Sequence, residues 1–200
     1  MTNDNIWAHP TATIDELALI GAGTKIWHYA HVQSAARIGM NCVLGQNVMI
    51  GQGVVIGNRC RIQNNVSIFQ GVTLEDDVFC GPSCVFTNVR TPRAFVDRKK
   101  ELGQTIVRKG ATIGANATVL CGKSNSPTEI GSYALVAAGA VVTGSVPRHA
   151  LMSGVPARHT GWVSHCGEVL GQDLICPREG TVYRKDGDQL ILVEPPPSPR

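Results

Sequence analysis

The side chains best suited to chemistry lie together in the middle of the chain, in a run from Asn88 to Thr105. This run holds five basic residues against two acids, and the basic residues are Arg90, Arg93, Arg98, Lys99 and Lys100. Guanidinium groups pair with phosphate or carboxylate oxygens through two parallel hydrogen bonds. The run therefore predicts a site for an anionic ligand, with a solvated surface loop as the alternative.

The elements on either side of this run follow a six-residue period. Aliphatic-type residues, which we call anchors, recur at Ile14, Ile20, Ile26, Val32, Ile38, Leu44, Ile50, Ile56, Ile62, Ile68, Leu74, Cys80 and Phe86. Neither a helix nor an ordinary strand has this period, so the pattern indicates a repeat architecture. The period returns at Val107, Ile113 and Val119, and again at Ile130, Val136 and Val142.

One anchor in every six residues suits a chain that makes a short strand, turns a corner and makes the next strand. Three such units close a triangular coil, and successive coils stack like parallel strands about 4.8 Å apart. The anchors then fill the inside of about six coils, which form a prism roughly 30 Å long. Corner residues one coil apart should stack, as Asn47 over Asn65 and Cys42 over Cys60.

The period breaks twice, and the breaks divide the chain. We expect an all-β domain over residues 1–160, with a protruding loop at 88–105 and a surface bulge at 122–129 that has no chemistry of its own. A small β appendix over 161–194 should contain a hairpin, and the tail at 195–200 should be disordered.

Composition excludes several classes of protein. Charged residues make up 16% of the chain and the net charge is +3, without a basic stripe, so no nucleic-acid partner is expected. There is no apolar leader and no stretch long enough to span a bilayer, which predicts a cytoplasmic protein without a membrane partner. The seven cysteines are expected to be mostly buried thiols.

The repeat resembles the hexapeptide superfamily, whose coils form a left-handed parallel β-helix. Several segments resemble a narrower subgroup, and they lie at 26–31 (IWHYAH), 62–66 (IQNNV), 74–82 (LEDDVFCGP), 85–89 (VFTNV), 92–94 (PRA), 111–116 (ATIGAN), 138–143 (AGAVVT) and 154–158 (GVPAR). This subgroup is the bacterial N-acetyltransferases of UDP-2-acetamido-3-amino-2,3-dideoxy-glucuronate, which serve O-antigen synthesis. The resemblance covers roughly residues 6–165.

The resemblance implies acetyl-CoA as the acetyl donor, bound along the C-terminal coils, and a homotrimer whose active sites lie between subunits. Ala138 and Thr143 would contact the pantetheine arm, and Arg158 would contact the CoA phosphates. Many relatives carry Lys after the Thr, where this chain has Gly144, and Arg148 could replace that contact.

The resemblance also implies where a UDP-linked amino sugar would lie. Asn65, Glu75 and Asp76 are candidates to hold the sugar or the uridine, and the loop arginines are candidates for the pyrophosphate or the sugar carboxylate. The subgroup's Asn-Val-Tyr-Asn-Pro-Arg segment reads Asn-Val-Arg-Thr-Pro-Arg at 88–93 here. This departure leaves an acetyltransferase for another nucleotide-linked amino sugar, such as a dTDP-3-amino-hexose, as the alternative.

Histidine is absent between His31 and His149. A hydroxyl nucleophile needs a general base, whereas a sugar amine is partly uncharged near neutral pH and can attack a thioester directly. The missing histidine therefore favours N-acetylation, with Asn88 as the predicted catalytic residue that orients the amine or relays a proton. A turn residue without a catalytic role is the alternative for Asn88.

Two other classes are compatible with a hexapeptide prism. A zinc carbonic anhydrase of this fold needs three histidine ligands in the central coils, and those coils have none. A non-catalytic scaffold would not need the segments at 138–143 and 154–158, which are typical of acetyl-CoA use.

The appendix holds two cysteines, Cys166 and Cys176, with Ser164 and Glu179 where a zinc ribbon would have its other two thiols. Two thiols do not make a closed tetrahedral site, and His165 or Glu179 would be needed to complete one. The sequence therefore predicts a hairpin without a metal.

Overall fold

The computed structural model describes residues 5–123 and 125–194, and this part of the chain contains β-strands and turns but no α-helix. Three parallel sheets enclose a triangular prism. We call them faces A, B and C in the order in which the chain enters them. The predicted all-β repeat fold is confirmed.

Each face is built from very short strands, mostly of two residues. Face A contains β1 (Trp7–Ala8), β4 (Lys25–Ile26), β7 (Val43–Leu44), β10 (Arg61–Ile62), β13 (Phe79–Cys80), β16 (Thr112–Ile113), β19 (Leu135–Val136), β21 (Ala150–Ser153) and β22 (Arg158–Trp162). Face B contains β2 (Thr13–Ile14), β5 (His31–Val32), β8 (Met49–Ile50), β11 (Ser67–Ile68), β14 (Val85–Phe86), β17 (Thr118–Val119) and β20 (Val141–Val142). Face C contains β3 (Leu19–Ile20), β6 (Arg37–Ile38), β9 (Val55–Ile56), β12 (Val72–Leu74), β15 (Thr105–Val107) and β18 (Thr128–Ile130).

The strand pairing follows the coil period. Ile26 of β4 pairs with Leu44 of β7, one uninterrupted coil later. Cys80 of β13 pairs with Ile113 of β16, because the 88–105 loop lengthens the coil between them. Ile113 pairs in turn with Val136, across the shorter bulge. Both interruptions therefore leave the stacking of the coils intact.

The anchors fill the prism. Every anchor from Ile26 to Val142 is buried, whereas Ile14 and Ile20 of the first coil are more exposed. Burial of a large aliphatic side chain contributes roughly 1.5–3 kcal/mol, so the anchors supply most of the driving force for this fold. The first coil starts at β1, where the small Ala8 continues the six-residue register. Face B has seven strands and face C has six, so six coils carry a strand on all three faces, in agreement with the expected number.

The corners carry the predicted ladders. The Asn47 side-chain amide donates a hydrogen bond to the Asn65 side-chain oxygen at 3.1 Å, one coil away. Both residues have a positive φ, 57° and 62°, which Asn tolerates better than most residues. Cys42 and Cys60 also stack, and both are buried free thiols.

The appendix folds back on the end of the prism. Strand β22 runs antiparallel to β21, and β23 (Val182–Asp186) pairs with β24 (Gln189–Glu194) in the predicted hairpin. The predicted disordered tail at 195–200 lies outside the described residues. In the described ranges no helix is long and apolar enough to cross a membrane.

Candidate active site

Three edges run along the prism where its faces meet. We name them the AB, BC and CA edges after the faces that the chain leaves and enters. The predicted site residues fall on all three edges, and their positions follow from the strands that precede them.

The BC edge carries the predicted catalytic residue and one predicted acetyl-CoA contact. Asn88 follows β14 and Thr143 follows β20, and β17 pairs with both of these strands on face B. Two coils therefore separate the residues, a distance of about 10 Å along one edge. Thr143 is exposed and Asn88 is half-buried, so both lie at the surface of this edge.

Asn88 closes the base of the 88–105 loop. Its backbone carbonyl accepts a hydrogen bond from the Gly103 N–H at 2.8 Å. Its side-chain amide donates a long hydrogen bond, 3.4 Å, to the carbonyl of Gln70 in the preceding coil. Within the described residues its side-chain oxygen accepts no hydrogen bond, so the oxygen is available to an amine N–H.

The loop arginines are partly occupied by the protein itself. Arg90 donates to the carbonyl of Cys121 at 2.9 Å, and Arg98 forms an ion pair with Glu101 at 2.6 Å. Among the described residues Arg93 donates only to the neighbouring carbonyl of Pro92, at 3.0 Å, so it is the least engaged of the three. The loop surrounds an open hollow of about 630 Å³ that Arg93 and Arg98 both line.

The bulge at 122–129 leaves the prism at the same BC edge, one coil beyond the loop. A Cβ on Gly103 would collide with the carbonyl oxygen of Gly122 and lie 2.7 Å from the sulfur of Cys121. Close backbone packing therefore joins the base of the loop to the bulge. The sequence did not show this contact, because the two breaks differ in length and composition.

The CA edge holds two of the predicted sugar ligands in a charge network. Arg108 bridges Glu75 at 2.8 Å and Glu129 at 2.9 Å, and these carboxylates raise its pKa. Asp76 accepts the backbone N–H of Asn58 at 2.7 Å, and this bond lowers the pKa of the Asp76 carboxyl. These acids stabilise the stacked coils and, within one chain, lie on a different edge from Asn88.

The remaining predicted contacts are spread over the other edges. Asn65 and Ala138 lie on the AB edge, and Ala138 is exposed. Arg148 lies on the CA edge beside Gly131, and Arg158 is exposed at the start of β22. A single chain therefore does not bring the predicted sugar and acetyl-CoA contacts together at one place.

Face B carries a polar pair, His31 and Asp15, which the sequence analysis did not assign to a function. His31 Nε2 lies 2.9 Å from a carboxylate oxygen of Asp15, and both side chains are partly exposed. Three strand steps separate β5 from β14, so this pair lies about 14 Å from Asn88 along the same face. The other histidine of that segment, His28, stacks on His9 with ring centres 3.5 Å apart.

His149, which lies just after the last coil of the prism, has a structural role. It is 2% exposed, and its Nδ1 lies 2.9 Å from the carbonyl of Val163. Burial lowers its pKa to about 4, and the nearby Arg148 and His165 act in the same direction. His149 is therefore neutral at physiological pH and belongs to the packing between prism and appendix.

Comparison with known proteins decides the family. Residues 28–95 match the model of the GMPPB C-terminal domain, and residues 104–144 match the hexapeptide repeat of succinyl-transferase. The dTDP-3-amino-3,6-dideoxy-alpha-D-galactopyranose 3-N-acetyltransferase of Aneurinibacillus thermoaerophilus is 41% identical over 169 residues, 84% of either chain.

The chain belongs to the hexapeptide-repeat sugar N-acetyltransferases. This membership confirms the predicted acetyl-CoA-dependent acetyltransferase. It also agrees with the predicted left-handed β-helix.

Two solved structures are less similar in sequence to this chain than the Aneurinibacillus enzyme is. The acetyltransferase domain of PglB from Neisseria gonorrhoeae FA1090, in complex with acetyl coenzyme A, is 19% identical with a TM-score of 0.49. The match covers 78% of this chain but only 57% of that one. The hexapeptide-repeat acetyltransferase VCA0836 from Vibrio cholerae is 25% identical with a TM-score of 0.47, over 60% of this chain and 70% of its own. The family assignment rests on the Aneurinibacillus enzyme.

Proposed function

We propose that this protein transfers the acetyl group of acetyl-CoA to the 3-amino group of a nucleotide-linked 3-amino sugar. The observation that carries the proposal is the 41% identity, over 84% of both chains, to a 3-N-acetyltransferase of a dTDP-linked 3-amino sugar. The position of Asn88 and Thr143 on one edge of the prism supports it. A donor along the C-terminal coils would reach a sugar amine held at Asn88.

The reaction needs no strong protein base. The described positions of the BC edge include no histidine, and a sugar amine is partly uncharged near neutral pH. Its lone pair attacks the thioester carbonyl, backbone N–H groups hold the oxyanion, and the C–S bond then breaks. The departing CoA thiolate takes the proton that the new amide nitrogen loses. Asn88 orients the amine through its side-chain oxygen.

The loop arginines bear on the choice of sugar. The sequence motifs favour a glucuronate, whose carboxylate needs a cationic partner, but Arg90 and Arg98 already bind groups of the protein. Arg93 remains for such a role. The Aneurinibacillus substrate is a 3,6-dideoxy sugar and has no such carboxylate. We therefore place a dTDP-linked 3-amino-hexose first and UDP-2-acetamido-3-amino-2,3-dideoxy-glucuronate second.

The test is release of CoA from acetyl-CoA over four substrates, namely UDP- and dTDP-linked 3-amino sugars with and without a C6 carboxylate. We expect turnover of at least one, with the dTDP-linked 6-deoxy sugar fastest, and the product should carry a 3-acetamido group by mass spectrometry. Preference for the glucuronate, lost in Arg93→Ala, would reverse the order of the two candidates. No turnover of any of the four would overturn the proposed function.

The proposal also includes a homotrimeric assembly and a cytoplasmic location. A homotrimer would bring the edges of neighbouring prisms together, and the scattered candidate residues on the AB and CA edges require such a contact to act with Asn88. Cytoplasmic location stays a prediction.

A further inference from the structure

Three potential metal ligands converge in the appendix, away from Asn88. The sulfurs of Cys166 and Cys176 lie 3.5 Å apart, and the Glu179 carboxylate lies within 4.8 Å of both. Cys176 is buried, while Cys166 and Glu179 are partly buried. The sequence predicts a hairpin without a metal and leaves Glu179 or His165 as the residue needed to complete a site, and the structure brings Glu179 to the two sulfurs.

The spacing of the sulfurs fits one tetrahedral ion. With Zn–S bonds of about 2.3 Å and a tetrahedral angle, two ligand sulfurs lie about 3.8 Å apart. The observed 3.5 Å is close to this value, so zinc binding requires little movement. Two turns hold the sulfurs in place, and each is closed by a backbone hydrogen bond, Gly167 to Ser164 at 3.1 Å and Gly180 to Cys176 at 2.9 Å.

The carboxylate also lacks a cation. Among the described residues no basic side chain forms an ion pair with Glu179, whereas the neighbouring Glu168 pairs with Arg178 at 3.5 Å. Among these residues a bound metal ion would therefore displace no ion pair of Glu179.

We propose that Cys166, Cys176 and Glu179 bind one Zn²⁺, which joins the two turns of the appendix. Both thiols release their protons to solvent, and a water molecule fills the fourth position. The Ser164 hydroxyl, 3.2 Å from the Cys166 sulfur, supports the site as a hydrogen-bond donor. The ion is structural, because the acetyl transfer proposed above requires none.

The test measures metal in the full-length protein, purified with a thiol-free reductant and without chelator. We expect about one zinc per chain by plasma mass spectrometry, and a thiolate-to-cobalt absorption band after exchange for Co²⁺. Cys176→Ser and Glu179→Gln should each weaken zinc affinity at least about tenfold. Glu168→Gln is the matched control, since it removes a carboxylate from the same appendix, and it should retain the zinc.

The prism gives an internal check on folding, because its far-UV circular dichroism does not depend on the appendix site. Zinc retained equally by the wild type and by both ligand variants would overturn the proposal, as would wild-type protein without zinc or a cobalt band. A disulfide would also overturn it, and denatured, unreduced protein would then show two thiols fewer than the seven in the sequence.

Discussion

Asn88 combines two properties at a single position. Its backbone carbonyl holds the base of the loop through Gly103, while its side chain makes only a 3.4 Å bond to Gln70. A weakly held amide can turn its oxygen towards a substrate amine without losing the loop. Asn88 is therefore suited to orient a nucleophile rather than to remove a proton from it.

This role predicts the effect of Asn88→Ala on rate. The backbone bond to Gly103 is kept, so the loop should stay closed, but the amine loses its orienting acceptor. We expect kcat to fall about a hundredfold with little change in KM for acetyl-CoA, measured by CoA release. Asn125→Ala, in the exposed bulge of the same edge, should retain the wild-type rate. An unchanged rate in Asn88→Ala would leave Asn88 as a turn residue only.

His149 predicts how stability depends on pH. Its folded pKa of about 4 lies below the usual 6.5, so the unfolded chain binds more protons between these values. Stability is then fully present above about pH 6.5 and is lost as pH falls towards 4, by on the order of 2 kcal/mol. Arg148 and His165 face this ring, Tyr133 stacks on it, and Tyr183 meets it edge-on. Chemical denaturation of His149→Gln from pH 7 to 4 should show a smaller loss than the wild type, whereas the exposed control His159→Gln should match it.

Among the elements, the loop and the bulge act as one unit at the BC edge. Their bases pack through Gly103 and Gly122, and Arg90 crosses to the carbonyl of Cys121. Displacement of either element would therefore move the other. The proposed site at Asn88 would therefore depend on both interruptions of the repeat.

This packing makes Gly103→Ala a sharp test of the unit. The added Cβ meets a backbone carbonyl that cannot turn aside, so we expect the melting temperature to fall by several degrees and the acetylation rate to fall with it. Gly144→Ala is the matched control for stability, because a Cβ there has open space and the residue lies on the same edge. Equal melting temperatures for the two variants would show that the packing of Gly103 against Gly122 does not contribute to the stability of the protein.

The six-residue period was sufficient to predict the prism, its buried anchors and its corner ladders, because one local rule repeats in every coil. It could not predict which edge each candidate occupies, since that depends on how many residues each break adds. Glu75 and Asp76 show the difference, because the sequence suggests a ligand site there but does not show their contacts with Arg108 and Asn58 within the chain. The sequence also could not decide whether His165 or Glu179 joins the two cysteines, because a turn brings Glu179 into range.

At the scale of the whole molecule, the three faces differ in their outward side chains. Face A presents Lys25 and Arg61, and face C presents Arg37 and Glu129. The outward positions of face B carry no lysine, arginine or carboxylate, and they are Thr13, His31, Met49, Ser67, Val85, Thr118 and Val141. The centres of protein interfaces are depleted in charged residues. Face B is therefore the face best suited to pack against a neighbouring prism. Asn88 lies at the edge of this face, directly after strand β14.

A charge placed on face B should therefore separate the subunits. Val85 on face B and Val55 on face C are 45% and 44% exposed in the single chain, so Val85→Glu and Val55→Glu form a matched pair. Light scattering after gel filtration should give the wild type and Val55→Glu about three times the 21.3 kDa of one chain. Val85→Glu should elute as a monomer with little acetyltransferase activity, because an unpaired charge in an interface is costly and the site would lose its second subunit. If Val85→Glu is trimeric and active, the subunit interface lies on another face. A monomeric wild type would contradict the proposed inter-subunit site.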